Sequence, residues 1–140
     1  MEWQHYNKLG ASMWYIEKLV REIEFSLSGS NSIYEAIEVD LSPAEIASIR
    51  KEIEAIRTTL GDAKKSFGLK VSPVRASRII EVDAGFIWET VEDTHSSRLE
   101  KGSGKIDSPD EKKRIDEFLH RIMSRTNRIR KIVGESEKLR

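Results

Sequence analysis

The sequence predicts an all-α protein, an antiparallel up-down four-helix bundle with long helices. Apolar residues recur at steps of three and four along most of the chain, the spacing of one face of an α-helix. Each of the three prolines directly follows a serine. That pair is typical of a helix start, because serine caps the first turn and proline tolerates its first position. The chain has 140 residues, enough for one core. We therefore predict one bundle domain over residues 1–134 and a polar tail over residues 135–140.

The first helix is predicted over residues 2–28 and ends at Gly29, since glycine usually follows a helix end. Its main apolar stripe comprises Leu9, Met13, Ile16, Val20, Ile23 and Leu27. Nearly opposite lie three aromatic residues spaced by eleven positions, close to three turns. They are Trp3, Trp14 and Phe25. A helix that is apolar on two sides is either sandwiched within the fold or offers one side to another chain. The connector over residues 30–41 is either a short helix or an extended segment.

The second helix carries the clearest stripe, with a repeat close to the 3.5 residues of a coiled coil. The stripe comprises Ile46, Ile49, Ile53, Ile56, Leu60, Ala63 and Phe67. The helix is predicted to begin at Pro43 and to end near Gly68. Glu45 completes a capping box with Ser42. Because the intervening residues are polar, other helices must cover the stripe.

The third helix is predicted from Pro73, capped by Ser72, to about Lys101. Its apolar stripe comprises Ala76, Ile79, Ile80, Phe86, Ile87, Thr90, Val91 and Thr94. Asp83 falls in the middle of that stripe by helical counting. A buried carboxylate needs a cationic or hydrogen-bonding partner, unless it is protonated. Trp88 lies roughly away from the stripe.

The fourth helix is predicted from Pro109 to residue 134, with Ser108 as its cap and Glu111 closing the capping box. Its stripe comprises Ile115, Leu119, Ile122, Thr126, Ile129 and Val133, supported by Phe118 and Met123. The turns between the last three helices are short, which favours antiparallel neighbours.

Composition excludes several classes of function. The chain has no cysteine, which excludes disulfides and thiolate chemistry and favours a reducing, cytoplasmic location. No apolar run approaches the roughly 20 residues of a membrane span, and the N-terminus lacks the order of a signal peptide. Residues 1–62 hold eleven acids and six bases, a net charge of −5, and residues 63–140 hold thirteen acids and eighteen bases, a net charge of +5. Such halves either pack on each other or leave a basic half for an anionic partner.

Two Glu-x-x-His pairs resemble the ligand pattern of di-iron bundles, in which such pairs project into the core. They are Glu92 with His95 and Glu117 with His120. Helical counting directs both glutamates away from the apolar stripes, whereas metal ligands must face the core. We therefore predict no metal and no cofactor.

The fourth helix has a basic flank, and no acidic residue lies between Arg121 and Lys131. The flank comprises Arg114, Arg121, Arg125 and Arg128. Such a row of cations can track the phosphates of RNA, DNA or a nucleotide. Alternatively, it meets acids such as Glu17 and Glu24, or it faces solvent.

Arg114 and His120, with five residues between them, resemble the Arg-x(4–6)-His motif of the HEPN family, helical domains that include ribonucleases. The resemblance implies RNA cleavage by these two residues. Because they lie ~120° apart around the helix, such a site would have to be composed across a dimer. The second half, from Ser72-Pro73 through Trp88 to the last helix, is similar to uncharacterised prokaryotic helical proteins, which implies no activity.

These observations predict a non-enzymatic protein–protein interaction module or oligomeric scaffold that binds a second copy or a protein partner, and no membrane. Aromatic side chains anchor interfaces, so the binding surface is predicted at Trp3, Trp14, Phe25 and Trp88. Some of these rings instead complete the core if the monomer buries them. The alternative function is RNA or nucleic-acid binding, or an HEPN-type ribonuclease domain that uses the basic flank.

Overall fold

The computed structural model describes residues 1–71 and 73–138, with side chains through Glu135. Five α-helices and one two-stranded sheet make up the described part of the chain, which confirms the all-α class. The helices are α1 (Trp3–Leu27), α2 (Pro43–Phe67), α3 (Ala76–Thr94), α4 (Ser96–Ser103) and α5 (Pro109–Lys138), and the strands are β1 (Ser30–Asn31) and β2 (Ala36–Ile37). The chain divides into two compact units, unit 1 (Met1–Ser72) and unit 2 (Pro73–Arg140). The single bundle domain over residues 1–134 stays a prediction.

Unit 1 is a pair of long helices, α1 and α2, joined by an antiparallel β-hairpin. The hairpin pairs Ser30 with Ile37 and Asn31 with Ala36, so the connector that the sequence left undecided is extended. The core of the unit consists of Val20 and Leu27 from α1 and Ile53 from α2, with Leu41, Ile46 and Ile49 packed against them. All of these residues except Leu41, which lies in the connector, belong to the apolar stripes that the sequence indicated.

The ends of α1 and α2 follow from local chemistry. Gly29 has a φ of +72° just beyond α1, and Gly68 has a φ of +60° just beyond α2, a backbone conformation that favours glycine. At the start of α2 the Glu45 N–H donates to Ser42 Oγ at 3.1 Å, and the Ser42 N–H donates to Glu45 Oε1 at 3.0 Å. The predicted capping box is therefore confirmed.

Unit 2 is built on α3 and α5. His95, at the end of α3, lies beside Asp116, early in α5, so the two packed helices run antiparallel. The apolar stripe predicted for α5 is only partly buried. Thr126 and Val133 are buried, whereas Ile122 and Ile129 are exposed. The helix continues to Lys138, into the segment that the sequence indicated as a polar tail. At its start the Glu111 N–H donates to Ser108 Oγ at 3.2 Å, so Ser108 is a cap.

The side of α3 that packs in the structure is not the side of the predicted stripe. Ser77 and Ala84 are buried, whereas Ile79 and Phe86 are 51% and 60% exposed. The centre of the predicted stripe and the buried side lie roughly 110° apart around the helix. Small side chains let two helix backbones approach closely, so the large apolar residues are left outside this contact. Asp83, in the middle of the predicted stripe, is exposed and not buried.

The predicted bounds of the third helix are also corrected. Residues 73–75 precede the helix, and Arg75 is extended (φ −76°, ψ 135°). In sequence, Arg75 occupies the position at which a glutamate would close a capping box. The cap predicted at Ser72 lies outside the described residues. The helix breaks at His95, also extended, and α4 continues to Ser103.

Candidate functional site

The aromatic side of α1, formed by Trp3, Trp14 and Phe25, is uncovered in unit 1. These side chains are 75%, 57% and 59% exposed. Lys18 and Arg21 lie on the same side by helical counting, and the Lys18 ammonium is 5.9 Å from the centroid of the Trp14 ring. The predicted interface residues of α1 thus form one aromatic and cationic surface.

A shallow groove of about 510 Å³ lies where this surface meets the β-hairpin. Its lining residues are Lys18, Arg21, Glu22, Phe25, Ser26, Glu35 and Ile37. The hairpin turn is closed by the Ser32 N–H, which donates to the Glu35 carbonyl at 2.8 Å. This closure holds Ile33 and Tyr34 in solvent, with 92% and 99% of their surface exposed. The sequence indicated neither residue as a site, because the segment had no clear pattern.

An open apolar face is also present in unit 2, on the side of the α3–α5 pair that carries the misassigned stripe. We call it the open face of unit 2. It comprises Ile79, Ile80, Phe86 and Ile87 of α3 with Phe118, Ile122 and Ile129 of α5, all exposed. The α3 set lies roughly 110°, and the α5 set roughly 50°, around each helix from its buried contact residues, in the same rotational sense. Because the helices are antiparallel, equal rotational senses put both sets on one side of the pair.

By helical counting Trp88 lies elsewhere on α3, near the edge of the contact with α5, and it is also exposed. It therefore belongs neither to the aromatic side of α1 nor to the open face of unit 2. The four residues predicted as one interface do not form a single surface on either unit.

The basic flank of α5 is exposed along its length, at Arg114, Arg121, Arg125 and Arg128. The Arg121 guanidinium stacks over the Phe118 ring, 4.6 Å from its centroid. Arg114, His120 and Arg121 line one shallow groove of about 870 Å³, so the two residues of the HEPN-like pair border the same surface. Glu24, which the sequence offered as a partner for the flank, instead forms an ion pair with Arg57.

A polar cluster that the sequence did not single out lies where α4 meets α5. The Asp116 carboxylate accepts the Ser96 N–H at 3.0 Å and the Ser96 hydroxyl at 2.8 Å. His95 Nε2 lies 3.3 Å from Asp116 Oδ1. The hydrogen bond from the Ser96 backbone, then that from its hydroxyl, and the nearby imidazole hold the pKa of Asp116 below its usual range. Lys112 and Glu100 form a further ion pair between α5 and α4.

The cluster contains a carboxylate, an imidazole and a hydroxyl in a row, because His95 Nδ1 also lies 3.2 Å from Ser97 Oγ. Hydrolases use that order of groups to activate a serine. Here His95 and Ser97 are exposed, and Asp116 binds the backbone N–H at the start of α4. The geometry therefore serves to cap and orient α4. The available signal was the run Thr94-His95-Ser96-Ser97, whose residues are poor helix formers within a predicted helix.

The Glu-x-x-His pairs are not gathered around a cavity. Glu92, Glu117 and His120 are exposed, and His95 contacts Asp116. Among the described residues no three His, Cys, Asp or Glu side chains are grouped so as to hold a metal ion. In the same part of the chain, no helix has both the length and the apolar content of a membrane span.

No relative is identified. Comparison with known proteins finds no matching family model, no similar curated protein and no similar solved structure. The candidate surfaces therefore rest on their geometry: an aromatic side, an open apolar face and a basic flank.

Proposed function

We propose that the protein is a non-enzymatic protein–protein interaction module that self-associates, as a dimer or a larger homo-oligomeric scaffold in the cytoplasm. The observation that carries the proposal is the apolar surface left uncovered. The accessible surface is 11,646 Å² for a 16.1 kDa chain. Two separate compact bodies, each of half that mass, would together expose only about 8,900 Å². An excess of this size, in a chain whose exposed residues include many isoleucine and aromatic side chains, favours burial against another protein.

We also propose how that burial is achieved. Each unit contains a pair of antiparallel helices whose apolar residues are only partly covered. We propose that two such pairs of helices bury their apolar faces against each other. The product is an antiparallel four-helix bundle, the architecture that the sequence predicts. The 3.5-residue repeat of α2 supports this packing, because it suits helices that cross at shallow angles.

Within this proposal, Trp3, Trp14 and Phe25 form a protein-binding surface, with Trp88 as a separate anchor. Sedimentation velocity over a range of concentrations tests the proposal. We expect the wild type to associate and Trp14→Ala to shift its profile toward smaller species, since aromatic residues dominate interface energies. Tyr34→Ala is the control, because it removes an even more exposed ring outside α1. A wild type that stays monomeric at high concentration would overturn the proposal, and an unchanged Trp14→Ala profile would remove the aromatic side from it.

The second candidate function is nucleic-acid binding by the basic flank of α5, favoured by its four exposed arginines and by the Arg121–Phe118 stack. Four phosphate contacts to single-stranded RNA predict a slope of about −3 for log K against log[salt]. Fluorescence anisotropy with labelled RNA tests this, and Arg121→Ala/Arg125→Ala should abolish binding. For the HEPN-type alternative, His120→Ala should abolish cleavage. Absence of binding at low salt would end this candidate.

A further inference from the structure

Asp83 occupies an unusual place on the open face of unit 2. It lies between Ile80 and Ile87 on α3, and all three residues are exposed. It forms no ion pair with any described side chain. A partner that covered these isoleucines would take the carboxylate out of water. That partner must therefore supply a cation at this point.

The other half of the same face supplies a matching pattern. On α5, Arg125 lies between Ile122 and Ile129, and all three are exposed. Both sets have the spacing i, i+3, i+7. When α3 and α5 are aligned antiparallel, Ile80 lies opposite Ile129 and Ile87 lies opposite Ile122. Asp83 and Arg125 then fall within about 1.5 Å of the same height along the helix axes.

A second copy placed on this face by a two-fold axis parallel to the helices brings its α3 onto α5 of the first. A two-fold axis keeps each residue at its own height. His95, at the end of α3, lies beside Asp116, and counting twelve residues along each helix places Asp83 level with Arg128. Arg125 is one turn away, within reach of its long side chain. The register within one copy thus agrees with the pairing between copies to within about one turn.

Charge decides between this arrangement and the alternatives. If α3 faced α3, two Asp83 carboxylates would share one apolar seam. If α5 faced α5, two Arg125 guanidinium groups would share one apolar seam. Only α3 on α5 joins opposite charges, and the symmetry forms that pair twice.

We propose that unit 2 forms an isologous dimer in which α3 of one copy packs on α5 of the other, with Asp83 of each copy paired to Arg125 of its partner. The occupant of the open face is a second copy of this chain. The inference rests on the proposed function, and it specifies the surface and the register of self-association.

Charge reversal tests the pairing in the full-length chain. Asp83→Arg alone and Arg125→Asp alone should each weaken the dimer roughly tenfold or more in sedimentation equilibrium, because each places two like charges in a covered seam. An equimolar mixture of the two variants should form a heterodimer of near wild-type affinity, since both of its pairs are again opposite in charge. Glu89→Arg, a reversal at an exposed position on α3 outside the face, should leave the affinity unchanged. Circular dichroism checks that each variant is folded.

The outcomes separate this inference from the function on which it rests. A monomeric wild type would overturn both. A wild-type dimer that tolerates both reversals would overturn the proposed face and leave self-association standing. Two weakened variants whose mixture does not recover would overturn the Asp83–Arg125 pairing.

Discussion

Arg57 on α2 holds Glu24 on α1 by two parallel bonds, from Nη1 to Oε2 at 2.8 Å and from Nη2 to Oε1 at 3.1 Å. Arg57 Nη1 also bonds Glu54 Oε1 at 2.9 Å, so the guanidinium is braced from its own helix. A two-point pair of this kind fixes geometry as well as charge. It sets the register of α1 against α2 beside the core of Val20, Leu27 and Ile53.

This pair makes unit 1 sensitive to acid. The hydrogen bonds from Arg57 hold the pKa of Glu24 below its usual value of 4.5. A lowered folded-state pKa contributes stability that is full above pH 4.5 and is lost as the pH falls through the folded pKa. Glu24→Gln should therefore lower the melting temperature at pH 7 and remove this part of the acid dependence. Thermal melts from pH 3 to pH 7 measure both, with Glu22→Gln as the control. Parallel curves for wild type and Glu24→Gln would contradict the prediction.

Asp116 should control the start of α4. Asp116→Ala leaves the Ser96 N–H without its acceptor, and the loss of a helix cap costs about 1 kcal/mol. We expect faster hydrogen exchange at the first turn of α4 and little change in α1 and α2. Glu117→Ala, the neighbouring exposed carboxylate, serves as the comparison. Since the Ser96 hydrogen bonds lower the Asp116 pKa, the protection should persist at neutral pH and decline as the pH falls through the folded pKa. Unchanged exchange in Asp116→Ala would show that α4 is held by other contacts.

Replacement of Ala84 by a larger residue should lower the free energy of unfolding. Ala84 is 3% exposed at the contact of α3 with α5, so Ala84→Leu adds three heavy atoms at a position that is closed to solvent. Overpacking of this kind costs about 1–3 kcal/mol. Glu89→Leu, at an exposed position of the same helix, should change the free energy of unfolding by less than about 0.5 kcal/mol. Urea denaturation measures both variants. Equal stabilities would mean that the helices do not meet at Ala84.

Helix ends were predictable because their determinants are local. Ser42 with Glu45, and glycine at positions 29 and 68, act within a few residues, and the structure places helix ends beside all of them. The end of α3 was not predictable in this way. Its break at His95 is held by Asp116, which accepts the Ser96 N–H from twenty residues further along the chain. The local run of poor helix formers over residues 94–97 is only a weak signal of that break.

The packed side of α3 was beyond the sequence pattern for a different reason. Periodicity identifies the most apolar side of a helix, and on α3 that side holds Ile79, Ile80, Phe86 and Ile87. Contact with α5 uses the side of Ser77 and Ala84 instead, because close approach of backbones depends on small size. The aromatic side of α1 and the basic flank of α5 were predicted as single-helix features, and both are exposed as such.

The use of small residues at the α3–α5 contact separates two kinds of genetic constraint in unit 2. Substitutions at Ser77 or Ala84 would act on whether the helix pair forms. Substitutions at Ile80 or Ile87 would act on what the folded helix pair binds. Natural variation could therefore change binding without loss of the fold. A homologue with polar residues at the positions of those two isoleucines should be well folded and monomeric.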